Sequence, residues 1–119
     1  MNSKERVFAA NEGLEVDQLP TGFWYHFDPR TFGNVEATVE NHLRFQEETQ
    51  VDILKVMNER RLFLYTQKIE NAKDFLKVKP IGKQPEFIRE QTEITQRVVD
   101  GLGGKAFTLL TLHCTWAST

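Results

Sequence analysis

Residues 34–79 contain no glycine and no proline, and this stretch constrains the fold more than any other part of the sequence. It is rich in Glu, Gln, Lys, Arg and Leu, which are strong helix formers. At 1.5 Å per residue, a single helix over this stretch would be about 65 Å long. A compact domain of this size is not that wide. We therefore predict a long amphipathic helix over 34–79 that needs partners along its length.

Both ends of this predicted helix carry the residues that helix ends prefer. Asn34 is a good N-cap, because its short side chain accepts a hydrogen bond from an amide of the first turn. Glu36 and Glu40 place negative charge where the helix dipole favours it. At the other end, Pro80 disfavours helical geometry at the residue before it, and Gly82 opens a turn.

The apolar residues of the predicted helix change phase along its length. A first stripe passes through Val39, Leu43, Ile53 and Met57, and glutamines interrupt it. A second stripe follows at spacings of three and four through Leu62, Tyr65, Ile69, Ala72 and Leu76. The helix is therefore apolar on more than one side near its middle, which favours contact with two neighbours, or with one neighbour and an apolar surface.

A second helix is predicted over 85–100. Pro85 suits the first helical position, and Phe87, Ile94 and Val98 lie along one side. Gly101 is predicted to close it. A short connection between two amphipathic helices favours an antiparallel hairpin, so we expect this helix to lie against the Leu62–Leu76 stripe. The predicted fold class is all-α.

The two ends of the chain are predicted to be less regular, although the whole chain, 1–119, is expected to form one domain. Residues 1–33 are an irregular arm with an aromatic run, whose members are Phe23, Trp24, Tyr25 and Phe27. We expect the run to pack on the long helix, and the alternative is an exposed adhesive patch. Residues 101–119 form a tail of strand-like composition. This tail would need a strand from another chain, or it would be loose.

Composition and charge narrow the classes of function. The formal net charge is -2, whereas nucleic-acid-binding domains usually show a concentrated basic excess. The sequence has no long apolar run of the kind that spans a membrane and no apolar core of a signal peptide. A single cysteine, Cys114, excludes an internal disulfide framework and fits a reducing compartment. We therefore predict a cytoplasmic location, no nucleic-acid partner and no transmembrane segment.

No catalytic or metal-binding pattern stands out. A nucleophile and base could be proposed from Cys114 with His26, His42 or His113, and an idle or buried thiol is the preferred interpretation. His42 is expected on the polar, solvated side of its helix. His113 and Cys114 are adjacent but have no further ligand at a metal-binding spacing. Arg60 and Arg61 are a small basic spot. We predict a non-enzymatic protein without cofactor or metal.

The hairpin region resembles the phasin family over roughly residues 40–100. The resemblance is carried by 58–77, with its Arg60-Arg61 turn and Ala72, and by the Pro85-Glu86 start followed by Phe87-Ile88 and Gln91. It implies a protein that coats intracellular polyhydroxyalkanoate granules and self-associates as a homo-oligomer. The alternative is a helical protein-interaction or assembly module, such as a phage structural component or a regulator, which binds a partner helix. The expected contact residues are Met57, Leu62, Phe63, Tyr65, Ile69, Leu76, Phe87, Ile94 and Val98.

Overall fold

The chain folds as a mixed α/β protein in a computed structural model that describes residues 1–59, 70–79, 82 and 85–111. A three-stranded sheet lies at its centre, and helices precede and connect the strands. In chain order the elements are α1 (Ser3–Asn11), β1 (Gly22–Phe23), a 3-10 helix (Pro29–Thr31), α2 (Val35–Thr49), β2 (Ile53–Val56), a 3-10 helix (Ala72–Lys77), α3 (Glu86–Leu102) and β3 (Phe107–Leu110). The predicted all-α fold is wrong.

The strands are parallel and stand in the order β1-β2-β3, so β2 is the central strand. Ile53 is aligned with Gly22 on one side and with Phe107 on the other. A Cβ on Gly22 would lie 3.0 Å from the Ile53 carbonyl oxygen, so glycine permits the close approach of β1. Parallel neighbours require crossover connections, which α2 and α3 provide.

One face of the sheet carries the hydrophobic core. Leu54 and Val56 of β2 are fully buried, and they pack with Val39 of α2 and with Ile94 and Val98 of α3. Because α2 and α3 also pack against each other, both crossover helices lie on this face. The alternate residues of β2 point to the opposite face of the sheet.

The predicted long helix is wrong because the chain leaves the helical conformation at Gln50. This residue is the C-cap of α2 and adopts a left-handed conformation with φ 53° and ψ 32°. The following residues, Val51 to Val56, alternate in the manner of a strand and include three β-branched residues. Burial of Val51, Leu54 and Val56 in the core favours a strand over a continued helix.

The predicted helical hairpin is also wrong for the described residues. Residues 72–77 form a 3-10 helix that begins at a capping box made by Asn71 and Asp74. The α3 helix packs on α2 and on the sheet. Leu76 is 89% exposed, and Leu62 lies outside the described residues.

Several local predictions are confirmed. The Asn34 side chain accepts a hydrogen bond from the Ala37 amide as the N-cap of α2. A helix starts after Pro85, although it continues through Gly101 to Leu102, and Gly103 is its C-cap with φ 54°. A Cβ on Gly101 would lie 2.7 Å from Leu43 Cδ1, so this glycine lets α2 and α3 approach closely.

The strand-like tail is confirmed over Phe107–Leu110, but its predicted pairing is wrong. This segment forms β3, which pairs with β2 of the same chain. A strand from another chain was expected because β2 had been assigned to a helix. Residues 112–119 lie outside the described part of the chain.

The N-terminal segment contains a helix that the sequence did not predict, and a buried arginine joins it to the sheet. Arg6 of α1 contacts the carboxylates of Asp17 and Asp52, with 2.7 Å from Nε to Asp17 Oδ1. The Arg6 guanidinium holds the pKa of Asp17 well below its usual range. Burial raises the pKa of Asp52, but hydrogen bonds from the Thr21 amide, from Ser3 and from Arg6 more than offset this, so the net pKa is lowered.

Candidate binding surfaces

A groove runs along the flank of α3 beside strand β3. Its volume is about 470 Å³, which lies in the range typical of ligand-binding clefts. None of the described side chains that line it is charged. They are Asn58, Phe87, Ile88, Gln91, Thr92, Thr95, Gln96, Val99 and Leu110.

The helical period of α3 separates this groove from its other surfaces. Ile94 and Val98 face the core, and Arg97 forms ion pairs with Glu36 of α2 and with Glu93. The α3 residues that line the groove recur at spacings of three and four. Their side chains are amides, hydroxyls and apolar groups and not charged groups. We refer to this side, with Asn58 and Leu110, as the groove.

Most polar groups of the groove are already engaged by the protein. Thr92 Oγ1 donates to the Ile88 carbonyl at 2.8 Å, and Thr95 Oγ1 donates to the Gln91 carbonyl at 2.7 Å. Gln91 Nε2 donates to the Met57 carbonyl at 3.3 Å. The hydroxyl protons are used within the helix, so the groove presents mainly methyl groups and hydrocarbon to an incoming ligand.

A small cavity lies beside the groove, close to the carboxyl end of β2. Its volume is about 20 Å³, enough for about one water molecule. Met57, Phe87 and Ile94, three of the predicted contact residues, line it together with Glu59. We regard it as a packing space between α2, α3 and the residues that follow β2.

The His26 ring and the Glu59 carboxylate are in contact near the carboxyl end of β2. Glu59 Oε2 lies 3.0 Å from His26 Nδ1, and the His26 side chain is 78% exposed. A carboxylate can orient an imidazole as a general base. The Glu59 side chain is 12% exposed. The Thr38 hydroxyl, which lines the small cavity together with Glu59, donates to the Asn34 carbonyl at 2.8 Å. The Thr38 proton is therefore used within the helix, and this described hydroxyl is not a nucleophile that the imidazole would activate.

His42 is fully buried, so its predicted solvated position is wrong. Its Nδ1 atom lies 2.7 Å from the Thr38 carbonyl oxygen, and its Nε2 atom lies 2.9 Å from the Met57 amide nitrogen. Because a carbonyl only accepts and an amide N–H only donates, the proton must be on Nδ1. Burial lowers the pKa of His42. Both ring nitrogens have structural partners, so this histidine joins α2 to the end of β2.

A second surface lies on the side of the sheet opposite α2 and α3, and we call it the open face. It consists of the outward residues of the strands together with the aromatic ring beside them: Trp24, Ile53, Lys55, Phe107 and Leu109. Trp24 is 63% exposed and Leu109 is 36% exposed. The nitrogen of Lys55 lies 5.1 Å from the centroid of the Trp24 ring, which is within cation–π range.

The aromatic run after β1 divides between the core and solvent. Phe27 is buried and makes edge contacts with the rings of His42 and Phe45. Tyr25 stacks on Phe45 with 5.3 Å between the ring centroids, although it is 55% exposed. Phe23 and Trp24 are mainly exposed. Both roles expected for this run, packing on the following helix and exposure, therefore occur in different members of it.

The predicted contact residues do not form one surface. Met57, Phe87, Ile94 and Val98 are buried, and the first three meet at the small cavity. Leu76 lies apart from them in the exposed 3-10 helix. The other predicted residues fall outside the described part of the chain: Arg60, Arg61, Leu62, Phe63, Tyr65, Ile69, His113 and Cys114.

Two features of these surfaces were missed from the sequence. Lys55 falls within the predicted long helix, whereas it stands on the central strand beside an aromatic ring. The alternation of Ile53-Leu54-Lys55-Val56 was the signal that could have placed it there. The groove has no comparable signal, because the threonines and glutamines of α3 look like an ordinary polar helix side.

The described residues give no sign of a metal centre or a membrane span. They contain no group of three or more His, Cys, Asp or Glu side chains arranged to hold a metal ion. No helix within them combines the length and the apolar character that a bilayer crossing needs. Comparison of the chain with protein-family models, with curated proteins and with solved structures finds no match.

Proposed function

We propose that this chain is a non-enzymatic protein-interaction domain that binds an uncharged, largely apolar segment of a partner protein in the groove beside α3. The observation that carries the proposal is a cleft of about 470 Å³ that the described residues line without a formal charge. A partner side chain with a formal charge would lose its hydration there without gaining an ion pair. Apolar side chains would instead remove the exposed Val99 and its neighbours from water.

The shape of the groove favours a polypeptide over a compact metabolite. Its lining extends from Phe87 to Val99, which is about 18 Å along the axis of α3. A segment of five or six extended residues has a similar length. Asn58 and the amide oxygen of Gln96, whose nitrogen donates to Asp100, are polar groups of the lining that would set the register of such a segment.

Granule coating, which the phasin resemblance implies, is the less supported alternative. Granule coating was predicted for a helical hairpin whose apolar faces are too wide to be covered by one partner. In the described part of the chain, α2 and α3 are joined through a sheet, and the apolar sides of both helices face a shared core. The proposed function keeps the other predicted alternative, a protein-interaction module, but the binding surface is a groove and not the face of a helix. With one cysteine in the chain, we propose the cytoplasm as its location.

Site-specific photocrosslinking in cells tests this proposal. A photoreactive phenylalanine analogue at Thr92, which is exposed in the groove, should give a discrete adduct with one protein. The same analogue at Glu47, which is exposed on α2, is the matched control and should not give that adduct. The substitution Val99→Glu should abolish the Thr92 adduct without unfolding the domain, because Val99 is 41% exposed. An adduct common to both positions, or one that persists with Val99→Glu, would contradict the proposal.

A further inference from the structure

Within the described part of the chain, helices α2 and α3 cover one face of the sheet, and α1 covers only part of the other. Strands of parallel sheets are normally buried on both faces, and helices provide the cover. Here α2 and α3 cover one face. On the opposite side, α1 brings Phe8 against Phe107, with 5.8 Å between the ring centroids. That contact lies at the amino end of β3, and Trp24 and Leu109 stay exposed beyond it.

The open face has a single charge at its centre. Lys55 stands on the central strand, aligned with Leu109 and next to the Trp24 ring. Its nitrogen donates to the Thr111 hydroxyl. Among the residues that the structure describes, no carboxylate lies within ion-pair distance of it. Any cover that excludes water from this face would bury the ammonium group of Lys55, and that is costly unless the cover provides an opposite charge.

We infer that the open face is a docking surface for an amphipathic helix of a partner protein, with one carboxylate of that helix paired to Lys55. The apolar side of the helix would cover Ile53, Phe107 and Leu109, and the Trp24 ring would flank the ion pair. This surface is on the other side of the sheet from α3, so the inference does not depend on the proposed function of the groove.

The position of Lys55 argues against a second copy of this chain as the cover. Two identical open faces packed about a two-fold axis would bring the same patch of each copy together. Lys55 lies on the middle strand of three, so both ammonium groups would approach the axis. Like charges in a desolvated contact are repulsive. A partner with a carboxylate avoids this repulsion.

Peptide titrations followed by Trp24 fluorescence test the inference. The chain has two tryptophans, so Trp116→Phe leaves Trp24 as the reporter. Three amphipathic peptides of about 18 residues, long enough to form helix, would differ in one residue within the apolar stripe: Glu, Lys or Gln. We expect the Glu peptide to shift the emission of Trp24 to shorter wavelength and to bind at least about tenfold more tightly than the Lys peptide.

Charge reversal separates a specific ion pair from general hydrophobic adhesion. With Lys55→Glu the preference should reverse, so that the Lys peptide binds best, and with Lys55→Gln it should disappear. Lys73→Glu is the matched control, because it changes the net charge equally at an exposed position of the 3-10 helix and should leave the preference unchanged. The urea midpoint of each variant verifies that it is folded.

Three results would overturn the inference. The first is that no peptide changes the emission of Trp24. The second is a Glu preference that survives Lys55→Glu, because the carboxylate would then be recognised elsewhere. The third is a dimer in sedimentation that Trp24→Ser dissociates, since a second copy would then occupy the open face.

Discussion

The Nε2 atom of His42 accepts a hydrogen bond from the backbone amide of Met57, at 2.9 Å, in a fully buried position. The same ring donates from Nδ1 to the Thr38 carbonyl. A second proton on the ring would face the Met57 N–H, and the positive charge would be buried. The neutral ring is therefore the form that the fold requires.

We predict that the domain loses stability as the pH falls below about 6.5, the ordinary pKa of histidine. Burial lowers the pKa of His42 in the folded state. As the pH falls, the unfolded chain therefore binds a proton at His42 at a higher pH than the folded protein does. The free energy of unfolding keeps its full value above the pKa that His42 has in the unfolded chain. Below that pKa, the free energy of unfolding decreases by at most about 1.4 kcal/mol per pH unit. Urea unfolding curves between pH 5 and pH 8 measure this slope.

The control for this pH dependence is a second histidine. His26 is exposed, so His26→Gln should retain the decline in stability, whereas His42→Gln should weaken it. An equal decline in the wild-type protein and in His42→Gln would assign the pH dependence to another group.

We predict that Gln50→Gly stabilises the domain by up to about 1 kcal/mol. Gln50 has φ 53°, a conformation that costs other residues free energy but not glycine. The hydrogen bond from its side chain to the Glu47 carbonyl is lost, which reduces the gain. If the chain were helical through this position, glycine would instead cost about 1 kcal/mol. Glu40→Gly, at an exposed position within α2, should show that cost. Thermal unfolding of the two variants compares them.

We predict that Leu54→Ala destabilises the domain by about 2–5 kcal/mol, because it leaves a cavity in the core. The matched substitution Leu76→Ala should cost less than about 0.5 kcal/mol, since that side chain is 89% exposed. Urea midpoints with an unchanged slope measure both effects. A large effect at Leu76 would support the contact role that the sequence pattern predicts for it.

We predict that Arg6→Met lowers stability much more than Arg44→Met, which removes an exposed arginine of α2. The Asp52 carboxylate is 2% exposed and would be left without its guanidinium partner. In the wild-type protein the pKa values of Asp17 and Asp52 are lowered. The stability that these two carboxylates contribute is therefore present above about pH 4 and is lost below it.

The pH dependence distinguishes this ion pair from simple packing. In Arg6→Met the buried Asp52 should accept a proton more easily, so the difference in stability from the wild-type protein should shrink as the pH falls from 7 to 4. A constant difference over this range would show that the stem of Arg6 contributes packing and not charge.

The sequence predicted the parts of the fold that depend on local chemistry. The Asn34 cap and the helix after Pro85 follow from the preferences of helix ends, and the strand-like composition of 107–110 follows from β-branched and aromatic residues. The boundary at Gln50 did not follow, because glutamine usually continues a helix and only the burial of Leu54 and Val56 makes the strand preferable.

The candidate surfaces were less predictable than the elements. Met57, Phe87 and Ile94 were recognised as apolar contact residues, but they lie inside the molecule around a cavity of about 20 Å³. Pairing of β2 with β1 and β3 decides which residues reach the open face, and that pairing joins distant parts of the chain. Lys55 and Trp24 therefore could not be connected from periodicity alone.

The central position of β2 has a consequence for how the chain reaches its folded state. Arg6 is 46 residues from Asp52, and Lys55 is 56 residues from Thr111. Contacts between such distant residues slow folding, because long loops must close before they form. During synthesis, β2 leaves the ribosome well before β3, and the edge of β2 that pairs with β3 stays unpaired until β3 has emerged. For that interval the nascent domain is vulnerable to aggregation through this edge.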